Sequence, residues 1–288
     1  MRHRQRPVPV VRPGGLSRRR RAGRRRRALA VAALAGSVAT LALVATSCDG
    51  RTRGTVGDRP TVGIVDTGIE ARGLEGHLDA AASASLVPGE DVDDADGHGT
   101  EMAWIVRRAA SDARLVAVKV VDHGGAATDE RVARAVDELR HGGVDVVLLS
   151  LSGAEPLPRT EAAIERAGRS GVIVVAAAGN DGVDLARTPG YPGGYSASGL
   201  VTVAATDASG RLLGSSNRGG STDVAAPGAV PTCGPDGRRT TSVGTSASAA
   251  LVAATAARHR AATVDEVVDL VRAGAAAVPS PRCPADPA

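Results

Sequence analysis

Phenylalanine is absent from this 288-residue chain, and tryptophan and tyrosine together supply three residues. A core without rings must be filled by Ala, Val, Leu and Ile, which favours thin, closely packed layers over bulky ones. Lysine is almost missing too, Lys119 being the single one among 35 basic residues. No His-Glu-x-x-His or Cys-x-x-Cys pattern occurs, and His77, His123, His141 and His259 stand outside any ligand-spaced cluster. No metal and no cofactor is therefore expected. The chain also lacks a phosphate-cradling Gly-Lys loop, which sets a nucleotide-binding protein aside. Neither an internal repeat nor a second folded domain is visible, and a monomer is expected.

The net charge of +4 is unevenly spread. Residues 1–27 hold twelve Arg and no acid, leaving 23 basic against 31 acidic residues in the remainder. A nucleic-acid surface needs cations spread over a folded face, so no nucleic-acid partner is expected. The Arg-rich stretch runs instead into an uncharged one, Ala28–Ser47. That order reads as an export signal, and the apolar run is also long enough to span a bilayer. Residues 28–48 are thus a signal peptide or a membrane anchor. The positive-inside bias places the downstream chain outside the cytoplasm in either case. A secreted protein, or one anchored on the outer face of a bacterial cell membrane, is expected.

Three cysteines remain to be placed. Cys48, in Ala45-Thr46-Ser47-Cys48, stands where a lipoprotein signal puts its lipidated cysteine, although Ala45 fills a position that usually holds Leu or Val. An oxidising compartment allows Cys233 and Cys283 to pair, with free or differently paired thiols as alternatives.

Residues 49–60 form a polar linker, and strand-like apolar runs come after it at Thr61–Val65, Arg114–Val121, Val144–Leu151, Val172–Ala177 and Leu200–Ala205. Helical periods lie between them at Asp129–Arg140 and Thr160–Arg169. Strand–helix alternation with continuously apolar strands predicts an α/β fold, its mainly parallel sheet covered by helices on both faces. Such sheets form their sites at the carboxyl ends of the strands. The folded region is placed at residues 61–275, with a Pro-rich tail at 276–288.

Three motifs fall at element ends: VGIVDTGIE around Asp66, DGHGTEMAWIVRRA around His98 and SVGTSASAALVAATAA around Ser246. A serine hydroxyl is a weak nucleophile at neutral pH and needs a neutral imidazole to take its proton. The imidazole needs a carboxylate to hold its tautomer and stabilise the imidazolium. A helix start suits the serine, because its free N–H groups favour negative charge. Taken singly, Asp66 reads as a turn former, His98 as a loop histidine and Ser246 as an N-cap. An aspartic dyad would need a second Asp-Thr-Gly or a dimer, usually on an all-β fold.

The ordered set resembles the subtilisin-like serine proteases, the subtilase or S8 peptidase family, over roughly residues 60–275. VAVKVVD, LLSLSG, AAAGND, YPGGYSASGLVTVAAT, SSNRGG and DVAAPG extend the likeness. The resemblance implies a three-layer subtilisin-like fold and an endopeptidase acting on an extended peptide or protein substrate through an acyl-enzyme. It implies Asp66, His98 and Ser246 as the triad and Asn180 as an oxyanion donor. Ser150, Leu151 and Ser152 would pair with substrate as an added strand. Ala177, Ala178 and Gly179 would form the walls of the primary specificity pocket and Gly190 and Gly193 its floor, leaving room for a bulky apolar side chain, with Asp181 near the rim.

Several residues depart from the family pattern. The segment after His98 lacks the loop that usually forms a tight calcium site, so none is expected. Trp104 replaces a usual Gly, Glu101 a frequent His, Ala250 a common Pro and Ser152 a usual Gly. With twelve residues between the apolar stretch and the first strand, folding without an inhibitory pro-domain is expected. These departures leave a non-catalytic peptide-binding subtilase as the alternative reading. The acidic run Glu90–Asp96 reads as a solvated loop ahead of His98.

Overall fold

A computed structural model describes residues 10–12, 59–276 and 282–286. The Arg-rich stretch beyond residue 12, the apolar segment 28–48 with Cys48, most of the linker and parts of the tail lie outside the described residues. In chain order the elements are β1 (Val10–Arg12), β2 (Thr61–Asp66), β3 (Ala84–Ser85), α1 (His98–Ala109), β4 (Arg114–Lys119) and β5 (Ala126–Thr128). Next come α2 (Asp129–His141), β6 (Val146–Leu149), α3 (Pro158–Arg169), β7 (Ile173–Ala177), β8 (Leu200–Thr206) and β9 (Val224–Pro227). The β10 (Ala229–Cys233) and β11 (Arg239–Val243) hairpin, α4 (Thr245–His259) and α5 (Val264–Arg272) complete the set.

Seven strands form one sheet in the order β3-β4-β2-β6-β7-β8-β9, every neighbouring pair parallel. The fold is therefore the expected α/β one, a mainly parallel sheet between two helical layers. Alternate strand residues serve opposite faces. Val146 and Leu148 join the core under α1, α4 and α5, whereas Val147 and Leu149 join the core under α2 and α3. Because both faces are covered, β2 is buried at all six positions, which explains its unbroken apolar run. Gly63 in β2 is needed for this packing: a Cβ there would lie 2.6 Å from Leu139 of α2.

The helices start where local chemistry starts them. Thr128 caps α2 by accepting from Arg131 N at 3.2 Å, with Asp129 and Glu130 in the first turn and Arg140 and His141 in the last. Pro158 opens α3, and the Asp129 carboxylate accepts from Arg159 N and Thr160 N at 3.0 and 2.9 Å, joining the two helix starts. Helix α4 is buried throughout Thr245–Ala257. A helix apolar on every side belongs inside, and its many alanines let the sheet and α1 approach closely.

Observed strands agree with the sequence reading to within two residues. The short β3 and β9, the β10–β11 hairpin and α5 were not anticipated. In the hairpin, Thr232, Thr240 and Thr241 with Pro231 give no apolar alternation to read. Among the described residues no helix is long and apolar enough to cross a membrane.

The chain leaves β2 toward β4 on one side and returns to β6 on the other, so the strand order switches direction beside β2. Crevices at such switch points lie beyond the carboxyl ends of the strands. Asp66 ends β2, Ser150 comes directly after β6 and Gly179-Asn180 just after β7. The fold thus gathers these residues at one edge of the sheet.

Candidate active site

Asp66 and His98 meet directly, with His98 Nδ1 donating to Asp66 Oδ1 at 2.7 Å. Both side chains are buried, and Thr67 N–H donates to the same oxygen at 2.8 Å. Asp66 Oδ2 is buried without a hydrogen-bond partner among the described residues. Burial opposes a charged imidazole, but the Asp66 carboxylate, with Glu101 and Asp96 adding negative field, raises the His98 pKa from 6.5 to about 9. Burial pushes Asp66 above its ordinary 3.8, while His98 and the Thr67 N–H pull it down. Two donors on Oδ1 favour the carboxylate, so the proton of this pair sits on the imidazole.

The contact depends on how α1 begins. Its N-cap, Gly97, has φ 93° and no capping side chain of its own. The cap comes from Asp94, the one buried residue in a run that is otherwise exposed or partly exposed, as a solvated loop would be. Asp94 is buried, and its Oδ1 accepts from Thr67 Oγ1 at 2.8 Å and Gly97 N at 2.7 Å. Its Oδ2 accepts from Thr100 N at 2.8 Å and Thr100 Oγ1 at 2.6 Å. One carboxylate thus ties the turn after β2 to the first turn of α1, fixing Asp66 against His98. Gly99 completes the joint: its N–H donates to Thr67 Oγ1 at 2.9 Å, and a Cβ there would collide with Gly68 O. Elsewhere in the run, Glu90 pairs with the buried Lys119 at 3.1 Å.

Ser246 occupies the first turn of α4, buried, with Oγ donating to Ser150 O at 3.4 Å. Gly244 ahead of it has φ 123°, and a Cβ there would lie 2.9 Å from Asn180 Oδ1. That approach allows Asn180 Oδ1 to accept from Thr245 N at 3.0 Å and Thr245 Oγ1 at 3.1 Å. A backbone N–H can only donate, so the atom facing it is the amide oxygen and Nδ2 is left for another acceptor.

Asn217, which the sequence reading did not single out within SSNRGG, holds the loop carrying Asn180. Its buried side chain donates from Nδ2 to Ala178 O at 2.9 Å and accepts from Asp181 N and Val183 N at 3.0 and 3.1 Å. Ser150, Leu151, Ala177, Ala178 and Gly179 are buried, and Ser152 and Gly190 are partly exposed beside them. Gly193 packs tightly on the same segment, a Cβ there meeting Ala177 O at 2.7 Å. Asp181 is exposed. Away from the crevice, Cys233 of β10 and Cys283 form a disulfide with a Cα–Cα distance of 5.7 Å. Trp104 is buried near Gly73 and Pro284, with the Arg107 guanidinium 5.1 Å from the ring centroid. Among the described residues no group of three or more His, Cys, Asp or Glu is placed to hold a metal ion.

Comparison with known proteins bears on the family and the fold. Subtilisin DY of Bacillus licheniformis is 33% identical over 111 residues, 35% of this chain and 40% of its own length. An alkaline protease of Alkalihalobacillus alcalophilus is 33% identical over 121 residues, 38% of this chain and 31% of its own. The matches therefore span two fifths or less of those curated relatives. Among solved structures, a cold adapted subtilisin-like serine proteinase has a TM-score of 0.63 and 27% identity, covering 74% of this chain and 81% of that one. The sequence model of the subtilase family, Peptidase_S8, matches residues 57–272, well over half the chain, and this protein belongs to that family.

Proposed function

We propose that this chain is an exported serine endopeptidase, with Ser246 as nucleophile, His98 as general base and acid, Asp66 as its orienting carboxylate and Asn180 as oxyanion donor. The observation that carries the reading is the buried 2.7 Å contact between Asp66 and His98 at the switch point that also receives the head of α4. Ser246 Oγ leaves Ser150 O and attacks the scissile carbonyl carbon, giving its proton to His98 Nε2. Negative charge gathers on the carbonyl oxygen, where Asn180 Nδ2 and the N–H of Ser246 donate to it. His98 then passes the proton to the leaving amine as the C–N bond breaks. Water, deprotonated by the same imidazole, hydrolyses the acyl-enzyme and restores Ser246. An extended substrate pairs with Ser150–Ser152 as an added strand. Export is supported by the Arg-rich and apolar order of residues 1–47 and by the disulfide, which persists in oxidising compartments.

A fluorophosphonate probe tests the assignment. Folded protein is expected to be labelled at Ser246 and to lose labelling on Ser246→Ala. Failure of folded wild-type protein to label would overturn the peptidase reading in favour of a peptide-binding one.

A further inference from the structure

The cleft between the Ser150–Ser152 and Ala177–Gly179 segments carries two side chains that change what it can accept. Gly153 N donates to Tyr191 O at 2.9 Å and Tyr191 N to Gly153 O at 2.7 Å, which joins the first wall to the segment bearing Gly190. Across the mouth, a Cβ built on Gly179 would lie 3.2 Å from Ser152 Oγ and 2.5 Å from Asn217 Nδ2. The serine hydroxyl is therefore within about 5 Å of the Gly179 Cα, one carbon bond further on. Deeper in, a Cβ built on Gly190 would lie 3.4 Å from Leu185 Cδ2, 3.7 Å from Asn217 Nδ2 and 3.9 Å from Ala178 O. A single carbon over Gly190 already has three residues at contact distance.

An aliphatic chain or ring passing between two walls needs about 3.5–4.0 Å of clearance to carbon on each side, or about 7 Å in all. The space between Ser152 Oγ and Gly179 is smaller than that. Ser152 can turn only about its single χ angle, and Leu185 is buried at 5% exposure.

We infer that Ser152 and Leu185 make the primary pocket shallow, so that this chain selects substrates with a small residue, Gly, Ala or Ser, on the acyl side of the scissile bond. This reverses the bulky apolar preference that the glycines alone suggest. The inference rests on the peptidase reading for the identity of the cleft. Ser152 acts as a specificity residue through steric exclusion and takes no part in the bond-making steps.

The test uses the full chain and two peptide substrates identical except for Ala or Phe at that position, each assayed for kcat/KM with wild type and Ser152→Gly. The same peptides are measured for Kd by fluorescence anisotropy on Ser246→Ala and on Ser246→Ala/Ser152→Gly. Wild type is expected to favour Ala by at least about 10-fold, the size of effect that a few atoms of pocket misfit produce. Ser152→Gly is expected to shift the ratio toward Phe by a similar factor, in turnover and in Kd. A general loss of structure would lower both peptides alike and leave the ratio in place. Wild type handling Phe as well as Ala, or a ratio unmoved by Ser152→Gly in protein that circular dichroism shows to be folded, would overturn the inference. If neither peptide is cut but binding discriminates as stated, the pocket inference stands and the peptidase reading falls.

Discussion

Removing Asp94 separates the packing of α1 from its proposed chemistry. The carboxylate takes four hydrogen bonds, from Thr67 Oγ1, Gly97 N, Thr100 N and Thr100 Oγ1, and touches none of the proposed reacting atoms. Hydrogen bonds to a charged acceptor contribute about 1.5–3 kcal/mol each, but four sharing one carboxylate are not additive. Asp94→Ala leaves those donors buried, and a loss of about 3–5 kcal/mol is expected. Asp94→Asn is the sharper variant. Each carboxylate oxygen faces one backbone N–H, Gly97 on one side and Thr100 on the other, so either orientation of the amide sets an NH2 against a donor. It should cost about 2–4 kcal/mol although it preserves volume. With a urea dependence of about 3 kcal/mol/M, that is a midpoint shift of about 1 M. The measurement belongs in a Ser246→Ala background, where self-digestion cannot distort the transition. In the active background kcat should fall as well, because the cap holds His98 against Asp66. A midpoint for Asp94→Asn within about 0.2 M of its parent would refute the reasoning.

The pH profile and the disulfide give two further expected outcomes. His98 must be neutral to accept the serine proton and its pKa is raised to about 9, so kcat/KM should climb from neutral to alkaline pH with a midpoint above 6.5. Asp66→Asn should move that midpoint down, since burial still opposes the imidazolium, and should lower kcat by about 10⁴-fold, the size seen for this change in a Ser-His-Asp triad. A wild-type profile flat between pH 6 and 10, or one that Asp66→Asn leaves in place, would contradict the assignment. Cys233→Ser opens a link between residues 50 apart in sequence, which chain entropy values at about 4 kcal/mol. Urea midpoints should drop equally for Cys233→Ser, Cys283→Ser and the reduced wild type; an unchanged midpoint would show that the link contributes nothing.

Continuous apolar runs need little context to be read as buried parallel strands, and that is why β2, β4, β6, β7 and β8 were legible before any coordinates. Asp66, His98, Asn180 and Ser246 were singled out as the proposed site for a related reason. Each sits in a short motif at an element end, where local chemistry restricts the residue type.

The polar scaffold was not legible. Asp94 stands in an acidic run that any single-residue reading leaves in water, and only the arrival of Thr67 and Thr100 from both sides makes burying its charge tolerable. Asn217 became informative only once the loop after β7 folded onto it. Ser152 stood out along the chain as a departure from the family's usual Gly, whereas Leu185 looks neutral there and restrictive only across the cleft.

The amino-acid order alone determined which segments are strands and helices and the α/β class, because these arise from local periodicity, and its family motifs pointed to the side chains proposed to react. The tertiary structure decided which carboxylate is solvated and which is locked inside, and how wide the pocket stands. Those properties depend on partners tens of residues away, whose distances no local pattern encodes.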